Sequence, residues 1–359
     1  MKKTLGLIAL VLLLFSQVLH ACTGLKLSAL DGSVIHGRTA EFGVKLDLSA
    51  IVIPRNYLFS STTPLGSGLS YRSKYAIVGA SAYGSSAVID GINEKGLSAA
   101  GFYFPQYADY TPTTPENQSR SLSPVEFTNW VLTQFATIEE LKSHLNDISI
   151  APTILKSWGP SPPPFHYIVY DKSGASVVIE PLNGTLKLYE NRLGVVTNSP
   201  TFDWHITNLN NFVHLTPYNV PPVQFDGMTF IPFGQGSGMS GLPGDFSPPS
   251  RFVRAAVFSV TAIPPPNAQE AILQTFHLLN SFDIPVGIIR TTINGVVHTD
   301  TTLATAVRDP QALRFYYKTY EDQTIKMIDL NEFDLNATSI KSLEISGNQT
   351  YLNVSAQLK

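Results

Sequence analysis

Cys22-Thr-Gly-Leu-Lys-Leu-Ser-Ala-Leu-Asp31-Gly32-Ser-Val-Ile-His-Gly-Arg38-Thr-Ala-Glu41 reads as two short strands, Cys22 to Leu30 and Ser33 to Ala40, that turn at Asp31-Gly32. Asp-Gly between β-like runs signals a two-residue hairpin, because glycine takes a positive φ without steric cost. With that turn Glu41 falls opposite Cys22 and Arg38 opposite Leu25. Side chains alternate between the faces of a strand, so Arg38 then points away from the Cys22 thiol, and only a bulge or a wider turn brings it round.

Further β-like runs lie outward of this hairpin: Ala76 to Tyr83, Gly96 to Phe104, Tyr167 to Asp171, Ala175 to Ile179, Leu193 to Thr197, Leu313 to Tyr320 and Thr324 to Leu330. Helices are fewer. Ser123-Pro-Val-Glu126, Thr137-Ile-Glu-Glu140 and Asn267-Ala-Gln-Glu270 each set a capping side chain three residues ahead of a Glu, which marks three helix starts. Strands cluster at both ends with helices between and no regular strand-helix alternation, so the class is α+β with mainly antiparallel sheets. The segments Gly159 to Pro164, Gly234 to Gly241 and Pro264 to Pro266 read as loops inside a single domain spanning residues 22–359.

With 43% hydrophobic and 14% charged residues in 359, the composition is that of a globular chain. A net charge of -3 without any basic run leaves no electrostatic footprint for nucleic acid. Lys2 and Lys3, the apolar stretch Leu5 to Phe15 and the small Ala21 compose an export signal over residues 1–21, too short to span a membrane. The mature chain is therefore expected in the periplasm or outside the cell, with no transmembrane segment.

The only cysteine, Cys22, follows the signal directly, and alone it makes neither an internal disulfide nor a thiolate zinc cage. Cleavage ahead of it would put a thiol (pKa about 8.5) and a free α-amine (about 7.7 to 8.0) on one residue, a nucleophile with its own base. Glu41, opposite in the two-residue register, could accept from the new ammonium. A lone Cys also reads as a small buried hydrophobe. Leu19-His-Ala-Cys22 further resembles a lipoprotein cleavage site, which would make the protein a lipid-anchored, non-catalytic binding protein at a membrane surface. No polar spacer separates Cys22 from the first strand, and that argues against the anchor.

Five blocks in order carry a resemblance: Cys22-Thr-Gly-Leu25; Gly37-Arg38-Thr-Ala-Glu41; Asn93-Glu-Lys-Gly-Leu97 with Ala100-Gly-Phe-Tyr103-Phe-Pro105; Thr197-Asn198-Ser-Pro200 with Phe202-Asp-Trp204; and Gly241-Leu-Pro-Gly-Asp245 with Ser250-Arg251-Phe-Val-Arg254. Together they resemble the choloylglycine hydrolase family of bile salt hydrolases and penicillin V acylases. The resemblance implies an N-terminal-nucleophile hydrolase with a four-layer αββα sandwich. It matches Cys22 to the nucleophile, Arg38 to the arginine beside it, Asn198 to the oxyanion-site amide and Arg251 to a second arginine of the catalytic network. Glu41 stands where the family usually has Asp, which keeps the charge and moves the carboxylate by one methylene. Tyr103 matches a position that is Asn in many bile salt hydrolases and Tyr in penicillin V acylases. The resemblance also allows a homo-oligomer.

These residue types suit amide hydrolysis. Arg38 near the sulfur favours thiolate, and the Asn198 amide with the backbone N–H of Tyr103 can stabilise a tetrahedral oxyanion. The Gly234 to Gly241 loop lacks the Lys-Ser/Thr ending of a phosphate loop, and histidines at 36, 144, 166, 205, 214, 277 and 298 show no ligand spacing, so neither cofactor nor metal is expected. The expected activity is an exported cysteine amidohydrolase that cleaves a linear amide of a small N-acyl substrate through a Cys22 thioester. Tyr103 ranks penicillin V and N-acyl amides, including N-acyl homoserine lactones, ahead of conjugated bile salts.

Overall fold

The computed structural model describes residues 21–293 and 295–358; of the expected leader only Ala21 falls among them. The first hairpin pairs β1 (Cys22–Ser28) with β2 (Val34–Phe42). Its register is one residue away from the expected one: Cys22 faces Ala40 and Gly24 faces Arg38. The turn is wider than two residues. The N–H of Ala29 donates to Ser33 O, the N–H of Gly32 to Ala29 O, and Gly32 takes φ +87°, a tight turn closed by a left-handed residue. This shift puts Cys22 and Arg38 on the same face and carries Glu41 past Cys22, where its N–H donates to Ala21 O.

Among the described residues two antiparallel sheets dominate, one of six strands and one of eight. The first runs β1, β2, Val296–Asp309, Arg314–Thr319 and Lys326–Asp329, with Ile289–Ile293 paired along part of the long strand. The second contains Ser49–Ile53, Ile77–Ser81, Val88–Asn93, Ser98–Tyr103, Phe165–Tyr170 and Ser176–Leu182 as consecutive neighbours in that order, edged by Lys341–Glu344 and Thr185–Glu190. Helices α1 (Phe127–Gln134) and α2 (Ile138–His144) pack Trp130, Val131 and Leu141 with Ile77, Leu97 and Tyr167 on the outer face of the second sheet. Helix α3 (Phe202–Asn208) follows Asn198, and α4 (Pro248–Thr261) and α5 (Ala268–Asn280) cover the first sheet through Phe252, Ala255, Phe276 and Leu279. Between the sheets Ala50, Val52, Val78 and Ile92 meet Ala306, Phe315 and Tyr317. The layers are thus αββα, as the resemblance implied.

One further expectation of local structure needs correction. Leu193 to Thr197 is not a strand of either sheet; it makes one bridge, Val196 to Gly24, with both backbone hydrogen bonds formed. The long strand Val296–Asp309 and helix α4 were not foreseen, and both bear on the site. Helix α5 approaches β2 closely: a Cβ at Gly37 would lie 2.5 Å from Thr275 Cγ2 and 2.8 Å from Leu279 Cδ1. Away from the sheets, the hairpin Val223–Phe225/Met228–Phe230 leaves its apolar side chains in solvent. Among the described residues no helix is long and apolar enough to cross a membrane.

Candidate active site

The bridge at Gly24 and the turn at Gly32 bring distant residues onto Cys22. The Arg38 Nη2 donates to Cys22 Sγ at 3.0 Å and Nη1 to Gly101 O at 2.9 Å, while the guanidinium lies 4.3 Å over the Phe102 ring. Gly24 makes room for that ring, since a Cβ there would stand 2.8 Å from Phe102 Cζ. On the other side the Cys22 N–H donates to Asn198 Oδ1 at 2.8 Å. Arg251, on α4, reaches back with Nη2 to Asn198 Oδ1 at 2.7 Å and Nη1 to Thr23 Oγ1 at 2.9 Å and to the Cys22 carbonyl, and its Nε donates to Phe246 O. Asn198 Nδ2 donates to Tyr103 O at 2.7 Å, and among the described residues its second N–H has no other acceptor.

Cys22, Arg38, Asn198 and Arg251 are therefore in direct contact, and Tyr103 joins them through its backbone carbonyl. Glu41 is fully buried beside them, but no hydrogen bond joins its carboxylate to Cys22. Oε1 accepts a long bond from Thr302 Oγ1 at 3.5 Å, and Oε2 has no hydrogen-bond partner among the described residues. The Tyr103 ring meets Phe42 and Phe165 edge-on, and with Trp158 these rings line a recess of only about 20 Å³ beside the thiol. A second, larger cavity of about 520 Å³ opens past Ala21, Asn198 and Arg251.

Burial dominates the electrostatics. It pushes the Cys22 thiol above its ordinary pKa even though Arg38 and Arg251 pull the other way, so the expected thiolate bias of Arg38 is outweighed while Cys22 remains in peptide linkage to Ala21. Burial also raises Glu41 to about 7, with Arg251 as the main opposing charge. Asp300, on the long strand, is likewise raised to about 7 by burial against Arg251. Desolvation lifts the Tyr103 hydroxyl to about 12, which keeps it neutral.

Four further residues support or face the site. His205 is lowered to about 4 by burial and so stays neutral; its Nε2 lies 2.9 Å from Asn198 O, to which it donates. The buried pair His166 and Glu180 holds the same segment, with His166 Nε2 3.1 Å from Thr197 O and Glu180 Oε1 accepting from Phe202 N–H. Asp300 lines the larger cavity, and its buried Oδ2 has no hydrogen-bond partner among the described residues. His205 lies on helix α3 and the other three on strands, and no spacing in the sequence marks any of them.

A family model described as linear amide C–N hydrolases, choloylglycine hydrolase family, matches residues 22–343. A bile salt hydrolase/transferase of Clostridium perfringens is 34% identical over 323 residues, covering 89% of this chain and 96% of the relative. A penicillin V acylase of Pectobacterium atrosepticum is 26% identical over 302 residues, covering 79% and 74%. The solved structure of a conjugated bile acid hydrolase variant from Clostridium perfringens superposes with a TM-score of 0.83 at 32% identity, covering 93% of this chain and 100% of that one.

Proposed function

The chain belongs to the choloylglycine hydrolase family of linear amide C–N hydrolases, and on that premise we propose that it is an exported N-terminal-nucleophile amidohydrolase whose mature chain begins at Cys22. The observation that carries this reading is the pairing of Arg38 with Cys22 Sγ on one side and Asn198 with Cys22 N on the other. Removal of Ala21 turns that nitrogen into an amine. The amine takes the thiol proton, Sγ attacks the acyl carbon, and the second N–H of Asn198 stabilises the oxyanion. The protonated amine then gives its proton to the leaving nitrogen, and water, activated by the same amine, hydrolyses the thioester. Glu41 and Asn198 Oδ1 accept from the amine and orient it.

Intact mass of the exported protein tests the premise. A bare chain starting at Cys22 is expected, and added diacylglyceryl and acyl mass would establish the lipid-anchored alternative. The burial of Cys22, 5% exposed against an arginine and aromatic rings, already supports a thiol that carries no lipid.

For the substrate we keep N-acyl amides of the penicillin V or N-acyl homoserine lactone type in front. The recess around Tyr103 holds only about 20 Å³, so its aromatic walls must part for any acyl group, and a flat phenoxyacetyl ring or an extended acyl chain asks for a smaller opening than a steroid. The second reading, a conjugated bile salt hydrolase, draws on the names of the relatives. A panel of penicillin V, glycine- and taurine-conjugated bile salts and a long-chain acyl homoserine lactone decides between them, and a kcat/KM preference for bile salts above about tenfold overturns the ranking. Self-association belongs to the same reading, supported by the exposed Val223, Phe225, Met228 and Phe230 and checked by solution mass.

A further inference from the structure

We infer that the cavity on the nitrogen side of Cys22 is the subsite for the departing amine, and that Asp300 selects there for amines whose remainder is cationic or uncharged over those that carry a carboxylate or sulfonate. The inference rests on the self-base mechanism proposed above and adds the chemistry of the leaving group.

The direction of the substrate follows from the proton path. The N-terminal amine must hand its proton to the leaving nitrogen, so that nitrogen has to come within hydrogen-bond reach of Cys22 N. Ala21, bonded to Cys22 N, lines the cavity of about 520 Å³ together with Asn198 and Arg251, while Sγ opens on the separate aromatic recess. The acyl group therefore lies on the recess side of Sγ, where the aromatic walls must part to admit it, and whatever the amine carries projects into the cavity. That space is sized and walled for an organic group, with Phe246 and Ile288 among its apolar lining.

Its charged groups differ in what they leave available. Arg251 spends four donor bonds on Phe246 O, Cys22 O, Thr23 Oγ1 and Asn198 Oδ1. Asp245 accepts from Ser247 N–H and Ser250 Oγ, and these bonds hold it down at about 2 despite partial burial, which by itself raises it. Asp300 alone among these three keeps a bare oxygen: it is 5% exposed, and its Oδ2 has no partner among the described residues. A buried acceptor without a donor is costly, and a ligand N–H or ammonium removes that cost. An anionic remainder instead meets two carboxylates against one guanidinium that is already engaged. Asp300 is held firmly, opposite Ile289 on the strand that also pairs with β2 at Phe42 and Glu41. Among the substrates ranked above, the uncharged homoserine lactone fits this subsite best, and penicillin V, whose departing amine carries a carboxylate, falls behind it.

The test compares three amides with one acyl group, phenoxyacetyl on glycine, on glycinamide and on 1,2-diaminoethane, at pH 8, above the raised value of about 7 for Asp300. The native enzyme should prefer the diamine and glycinamide derivatives. Asp300→Asn should raise kcat/KM for the glycine derivative relative to the diamine derivative by about tenfold or more, and Asp300→Glu should keep the native order. Ratios taken within one protein do not depend on the folded fraction. A native preference for the glycine derivative, or an Asp300→Asn variant that lowers all three rates alike, overturns the subsite. If the native enzyme cleaves none of the three, the proposed activity falls and the subsite with it.

Discussion

Replacing Glu41 by Gln should stabilise the unprocessed chain at neutral pH, and the size of the gain follows from the burial of the carboxyl. Glu41 moves from 4.5 to about 7, with burial as the cause and Arg251 and Arg38 only partly offsetting it. The native state therefore holds a proton that the unfolded chain releases, so this stabilisation is complete below about pH 4.5 and is lost as pH rises through about 7. At about 1.4 kcal/mol per pKa unit the loss approaches about 3 kcal/mol by pH 8. Asp300, raised in the same direction by burial, adds a loss in the same window that the native chain and the variant share. Chemical denaturation of a chain that retains residues ahead of Cys22, compared with its Glu41→Gln variant from pH 4.5 to 8, should show curves that coincide at the acid end and diverge to about 3 kcal/mol at the other. In a chain that begins at Cys22 the α-ammonium should supply a charged partner, and the gain should shrink. A native curve that runs parallel to that of the variant across the range would refute the proton held on the buried carboxyl, and an equal gain in both forms would remove Glu41 as an acceptor for the amine.

Two further outcomes are expected. Cys22→Ser should fold normally and lose nearly all turnover, since an alkoxide forms far less readily than a thiolate, and one extra residue ahead of Cys22 should be as damaging to the measured rate because it turns the amine into an amide. Gly37→Ala should lower stability by about 1 to 3 kcal/mol in a thermal melt, because its Cβ would meet Thr275 Cγ2 at 2.5 Å and α5 would have to move off β2.

The hairpin shows where sequence reasoning succeeds and where it stops. Strand, turn and strand were legible from Cys22 to Ala40, yet Asp-Gly serves both a two-residue turn and the end of a three-residue one, and the choice decides which face Arg38 takes. Only the wider turn delivers the contact with Cys22 Sγ. Helix α4 escaped notice because it opens with Pro248-Pro249 and buries Arg251 and Arg254, which breaks the apolar periodicity. Val296–Asp309 is rich in threonine and carries Asp300 and Arg308 inward, so its buried face does not read as apolar. Buried polar residues gain their meaning from partners distant in the chain, as Glu180 does from His166 and Phe202, and local patterns do not contain those partners.

The nitrogen and the carbonyl oxygen of Cys22 are gripped by side chains 176 and 229 positions downstream. Synthesis delivers the N-terminus first, so the sulfur emerges as an ordinary, unassisted cysteine and acquires its surroundings only after α4 and the long strand ending at Asp309 have been made. Such far-separated contacts form late and slowly. The cluster is thereby timed by chain length: a ribosome-bound fragment that stops short of Arg251 carries the thiol without the side chains around it, and the proposed chemistry needs both the removal of Ala21 and the closing of the last third of the polypeptide over the first strand.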